Sequence, residues 1–134
     1  MTAPDPLLRP VWNCLHGRQA KLAVGAGAAV RIDPHYGPFA AARDCSAGAQ
    51  AALAALLSGP DDRLWLVEPE EWPAPSGTRV VRTAPLLQMI AEKPQAPLPE
   101  DGHFIALGDA DVAEMTALAL TTEPGPWGPS THRY

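Results

Sequence analysis

Hydrophobic positions come in short bursts along this chain, and proline or glycine closes nearly every burst. The first is Pro10-Val11-Trp12-Asn13-Cys14-Leu15-His16, with Gly17 after it. Proline suits the first helical turn and glycine the residue past the end, so a short helix is expected. Residues 20–24 and 28–32 read as two short strands. Gly25-Ala26-Gly27 between them reads as a hairpin turn, because glycine reaches positive φ at little cost. Residues 33–38 hold two prolines and a glycine and read as a loop. The clearest helix is 46–58. Ser46 can cap it, Ala49, Leu53, Leu56 and Leu57 share one face, and Gly59-Pro60 ends it. Residues 63–68 read as a short apolar strand and 69–77, with three prolines, as a loop. Residues 78–83 read as a second strand. Residues 86–91 are a third, or continue it past Pro85, which implies an edge position or a bulge.

Residues 94–101 carry three prolines and read as a semi-rigid linker. Beyond them the pattern restarts with a strand at 103–107 and a turn at Gly108-Asp109. A helix follows, capped by Asp109 or Asp111, with Val112, Met115, Leu118 and Ala119 on one face. If Asp111 is the cap, Glu114 occupies the reciprocal capping-box position. Acidic residues in that first turn also suit the helix dipole. The helix stops before Pro124, and 124–134 is loop.

These elements predict an α+β (mixed α/β) fold, with short helices packed on a small, mostly antiparallel sheet. Residues 1–93 form one α/β unit, 94–101 the linker, and 102–134 the first strand, helix and loop of a second unit. One strand and one helix cannot bury both their apolar faces without a sheet to join. Either they complete the preceding sheet or they are the front part of something longer. The face around Val112, Met115 and Leu118 is therefore expected to lack full cover.

Composition sharpens this picture in a few places. The 134 residues fit one domain rather than two full ones. Alanine alone supplies 24 of the apolar positions, so the larger apolar side chains suffice for one modest core. A net charge of −5 argues against a nucleic-acid binder that relies on a broad basic face. No apolar stretch approaches the roughly 18 residues needed to span a bilayer, and the first six residues do not resemble a secretory signal. The cytoplasm is the expected location, and with it reduced thiols at Cys14 and Cys45.

Candidate chemistry is sparse. Gly25-Ala26-Gly27 is no dinucleotide fingerprint, since a strand rather than a helix follows it. Cys14, His16, His35 and Cys45 match no standard zinc spacing, and Cys14 reads better as a small buried hydrophobe. No G-x-S-x-G elbow is present, and neither cysteine has an identifiable base. Glu68, Glu70 and Glu71 form a carboxylate cluster that reads as a solvated loop rather than a general base. Trp12, Trp65 and Trp72 read as core or core-edge anchors. Trp127 differs. It sits in a proline- and glycine-rich loop near Thr131, His132 and Tyr134, where it can line a ligand pocket or cap the core.

Several segments in order resemble a bacterial subgroup of the GNAT superfamily of acetyl-CoA-dependent N-acetyltransferases, the group with an FR47-like region. Residues 9–17 look like its short first helix, and Gly37-Pro38-Phe39-Ala40-Ala41 like the loop before its next helix. Val80-Val81-Arg82-Thr83-Ala84-Pro85-Leu86-Leu87-Gln88-Met89-Ile90 is similar to the segment closing its N-terminal half. Residues 107–115 resemble the first strand and helix of the acetyltransferase domain proper. Residues 124–131 resemble the loop after that helix, which in the family faces the acceptor substrate. The resemblance thus offers Trp127 and Thr131 as substrate-binding residues. Ser130 departs from it, since a larger basic residue is expected there.

The resemblance implies acetyl-CoA as cofactor of the complete enzyme, held by backbone N–H groups of an Arg/Gln-x-x-Gly-x-Gly/Ala loop that opens a helix. No such loop occurs in this sequence, nor does the later tyrosine often used as general acid. Hence no catalytic, cofactor-binding or metal residue is expected here, and no acetyl-CoA binding by this chain alone. Three readings follow: the N-terminal part of such an acetyltransferase; a non-catalytic binding or dimerisation module derived from one; or a small unrelated α+β enzyme. The partners implied are a second copy, or a complementing C-terminal acetyltransferase segment, with neither nucleic acid nor membrane.

Overall fold

The computed structural model describes residues 5–96, 102 and 104–134. Much of the proline-rich stretch 94–101 lies outside the described residues, as do residues 1–4 and His103. Among the described residues, three short α-helices, several 3-10 turns and a three-stranded antiparallel sheet form, which is the fold class the sequence pattern predicts. Helix α1 is Pro10–Leu15, and α2 is Ala47–Ala54. Strands β1 (Ala23–Val24), β2 (Ala29–Ile32) and β3 (Ala40–Ala42) pair in the order β1-β2-β3. Gly25 and Gly27 turn the β1–β2 hairpin at φ 92° and 76°, conformations cheap only for glycine.

The sheet is sandwiched between the two helices. Every residue of β2 and β3 is buried. Side chains alternate along β2, so Ala29 joins Ala40, Ala42, Ala49 and Leu53 on the α2 side. Val30 and Ile32 meet Leu15 on the other side, with Trp12 and Phe39 packed against them. Arg31 alternates with Val30 and Ile32, and its guanidinium reaches the α2 side, where it bonds the Leu56 carbonyl.

Strand β3 was not expected. The resemblance implies a loop at 37–41, and alanine has little intrinsic strand preference. Tertiary burial decides the matter. All three β3 alanines are fully buried, and their small side chains leave room for the helices on either face.

Other boundaries shift for identifiable reasons. Residues 20–22 form a 3-10 turn, so the first strand begins only at Ala23. Helix α2 is capped as expected, with the Ser46 hydroxyl accepting from the Ala49 N–H at 3.4 Å, but it ends at Ala54 rather than at 58. The strand expected at 63–68 shrinks to one parallel bridge, in which the Ala40 N–H bonds the Trp65 carbonyl and the Trp65 N–H that of Pro38. The strands expected at 78–83 and 86–91 are not formed, and 104–107 is likewise irregular. Those runs are apolar enough for strands, but no described strand lies beside them to complete the hydrogen-bond ladder.

Helix α3, Val112–Thr122, follows a 3-10 turn at Asp109–Asp111. The Asp111 carboxylate does not cap the helix forward. It accepts the Gly108 N–H at 2.8 Å and tightens the turn before it. Val112 and Met115 are half-buried and Ala119 buried, whereas Leu118 faces outward with Leu120. Glu123 closes the helix in the left-handed conformation, φ 47°, ahead of Pro124.

Candidate functional site

A shallow cleft of about 330 Å³ opens where three loops meet: 34–38, 61–63 and 126–128. That volume is at the small end of ligand sites. Its floor is Arg31 of β2. A charged residue inside a fully buried strand requires a partner, because an isolated buried cation is far too costly. Asp62 supplies it at 2.7 Å, and Leu56 adds a carbonyl at 3.0 Å. The Ser58 hydroxyl and N–H also donate to Asp62. The Arg31 bond, foremost, holds the Asp62 carboxyl well below the usual carboxylate range, against a contribution from burial that raises it. Arg31 and Asp62 are thus a fixed structural pair. Asp61 and Arg63, both exposed, are the charged groups at the rim.

Trp127 forms the opposite wall with Pro126. Its indole N–H donates to the Thr116 hydroxyl of α3 at 3.1 Å, so the ring is fixed from behind while it borders the cleft. Thr131 lies outside the lining. Its hydroxyl accepts the Gly128 N–H at 2.7 Å and donates to the Tyr36 carbonyl at 2.9 Å. The two residues singled out by sequence therefore belong to one loop, where Trp127 presents a surface and Thr131 clasps the loop to residues 35–36. The clasp continues with the Ser130 N–H on the His35 carbonyl at 2.9 Å. Gly128 passes so close to that carbonyl that a Cβ there would lie 2.4 Å from its oxygen. His132 and Arg133 both bond Asp109, and these bonds lower the Asp109 carboxyl.

The remaining candidates resolve as structure. Glu68 is buried, with its side chain 4% exposed, and forms a two-point ion pair with Arg9 at 2.6 and 2.9 Å. It is neither solvated nor free to act as a base. Arg9 also bonds the Ala42 and Arg43 carbonyls, and its guanidinium lies 5.5 Å from the Trp12 ring and 5.1 Å from that of Trp72. Cys14 and Cys45 are free thiols, and both are exposed. Cys14 is thus not the buried hydrophobe its apolar neighbours imply, because α1 turns Leu15 inward instead. Among the described residues, no group of three His, Cys, Asp or Glu side chains is placed to hold a metal ion. Nor is any helix among them long and apolar enough to cross a membrane.

Sequence reasoning missed the Arg31–Asp62 and Arg9–Glu68 pairs. Arg31 carried a usable signal, since an arginine between Val30 and Ile32 demands a buried acid. Arg9 and Glu68 carried none, being 59 residues apart.

No family model matches the chain, and no curated protein matches it. A solved structure does. The chain is similar to the crystal structure of a candidate acetyltransferase from the GNAT family of Novosphingobium aromaticivorans DSM 12444. The two are 58% identical, with a TM-score of 0.88 over 97% of this chain. The chain spans about half, 56%, of that protein's length.

Proposed function

We propose that residues 1–134 are the N-terminal part of an acetyl-CoA-dependent N-acetyltransferase, which transfers an acyl group to an amine. The observation that carries this reading is the likeness to the Novosphingobium structure at 58% identity, which extends over nearly the whole of this chain. Residues 1–93 then form its first α/β unit, 94–101 a connection, and 102–134 the opening of the acetyltransferase unit proper.

The groups present here do not fit acetyl-CoA itself. Pyrophosphate is bound by N–H groups at a helix N-terminus free of competing negative charge. Helix α3 begins instead among Asp109, Asp111 and Glu114. At the start of α2, Ser46 already accepts the Ala49 N–H, and Asp44 accepts the Ser46 N–H. The contribution of this chain is therefore to the acceptor side. Trp127, fixed by Thr116, offers an aromatic wall, and Thr131 holds that wall in position through Tyr36. The charges of Asp61 and Arg63 at the rim are available to orient a polar acceptor.

The test is acetyl transfer. This chain is joined after Tyr134 to the part of the Novosphingobium protein it does not match, and is incubated with acetyl-CoA and a panel of primary amines. Release of free CoA that depends on an amine, together with its loss in Trp127→Ala, is the expected result. A well-folded fusion that turns over no amine contradicts the proposal.

A further inference from the structure

The largest unexplained feature of the molecule lies outside the cleft. In residues 80–90 and 104–107, large apolar side chains stand in water: Val81, Leu86, Leu87, Met89, Phe104 and Ile105 among them. Leu87 is 88% exposed and Phe104 85%. Isolated exposed apolar residues need no explanation, but so many within two short runs point to an interaction surface. The backbone gives a second, independent sign. Among the described residues, no main-chain hydrogen bond joins residues 79–96 or 104–107 to the rest of the chain. Sequences with this many β-branched and apolar residues favour strands, and unpaired strands bind whatever supplies the missing ladder.

We infer that residues 80–90 and 104–107 are the docking surface for a polypeptide segment equivalent to the part of the Novosphingobium acetyltransferase that this chain does not match, and that both runs become strands when it docks. This inference rests on the function proposed above. The occupant follows from the extent of the likeness: the matched protein has a further part, about three-quarters as long as this chain, with no counterpart here. A surface lacking both apolar cover and hydrogen-bond partners fits a sheet-forming segment better than a ligand. Leu118 and Leu120 of α3 are exposed as well.

Hydrogen exchange tests this directly. The chain is measured alone, co-produced with the unmatched segment of the relative, and fused to that segment after Tyr134. Alone, the amides of 80–90 and 104–107 are expected to exchange freely. In the co-produced complex or the fusion, their exchange is expected to slow at least about tenfold. Val81→Asp with Leu87→Asp is expected to abolish that protection and the one-to-one complex, while the amides of β2 and β3 stay protected. Three outcomes overturn the inference: a fusion in which these amides stay unprotected, protection that survives the double substitution, or self-association of the chain that protects the same amides without the segment. The two readings fail separately. Protection without acetyl transfer leaves the docking surface standing and removes the activity, whereas transfer by a fusion with unprotected amides does the reverse.

Discussion

At the scale of single residues, the fold depends on a few charges placed where alanine and valine would otherwise stand. Arg31 is 4% exposed in the middle of the sheet, and Asp62 is what makes that position tolerable. Removing one partner of such a pair is costly because the other charge stays buried. Asp62→Asn is expected to lower stability by about 2 kcal/mol near neutral pH, toward the small end because Asp62 is partly exposed. The same pair sets an acid sensitivity. A carboxyl whose folded pKa is depressed contributes stability that is fully present above its unfolded value near 4 and lost as pH falls below it. Urea midpoints at about pH 5 and about pH 3 should therefore drop for the wild type and drop less for Asp62→Asn. Gln50 presents the opposite situation: it is buried on α2, and neither of its side-chain amide atoms has a partner. Gln50→Leu removes two unsatisfied polar atoms and is expected to stabilise the chain by about 1 kcal/mol in the same measurement. Little of this was legible beforehand. The charged position within β2 can be read from the sequence, but its partner, 31 residues away, cannot.

At the scale of elements, short-range signals were dependable and long-range ones were not. Proline at the start of α1, serine before α2 and glycines in the β1–β2 turn act through their immediate neighbours, and those features formed where they were expected. Strand β3 was invisible because nothing local favours three alanines in a sheet. Its strand state comes from burial between two helices. The runs at 78–91 and 104–107 show the converse, a local strand preference without a neighbour to satisfy it. Trp127 stood out for its place in a proline- and glycine-rich loop, and it does border the cleft. The role of Thr131 in bonding Tyr36 depends on a contact across 95 residues and had no signal. That clasp makes a prediction at this scale. Gly128→Ala would set a methyl group against the His35 carbonyl, where a Cβ has 2.4 Å of room. The loop must shift, at an expected loss of about 1–2 kcal/mol. The amide of Ser130, which bonds His35, should lose its exchange protection while those of β2 and β3 keep theirs.

At the scale of the whole molecule, the apolar residues divide into two groups. Most of those in residues 11–72 close around the sheet in two clusters, one on the α2 side and one on the α1 side. Those of residues 80–90 and 104–107 stand exposed. A chain with so small a core gains little by leaving such side chains in water, unless another surface covers them. The proposed function accounts for both groups: one packs into a formed unit, and the other is the surface inferred to receive a further segment. The proposal to be tested is that these residues are the N-terminal part of an acetyltransferase and do not bind acetyl-CoA by themselves. Calorimetric titration with acetyl-CoA tests it most directly, run on the chain by itself and on the chain fused to the unmatched segment of the Novosphingobium protein. Saturable one-to-one binding by the fusion and no heat of binding with the chain alone is the predicted result. Binding by the chain alone, or none by a well-folded fusion, would contradict it.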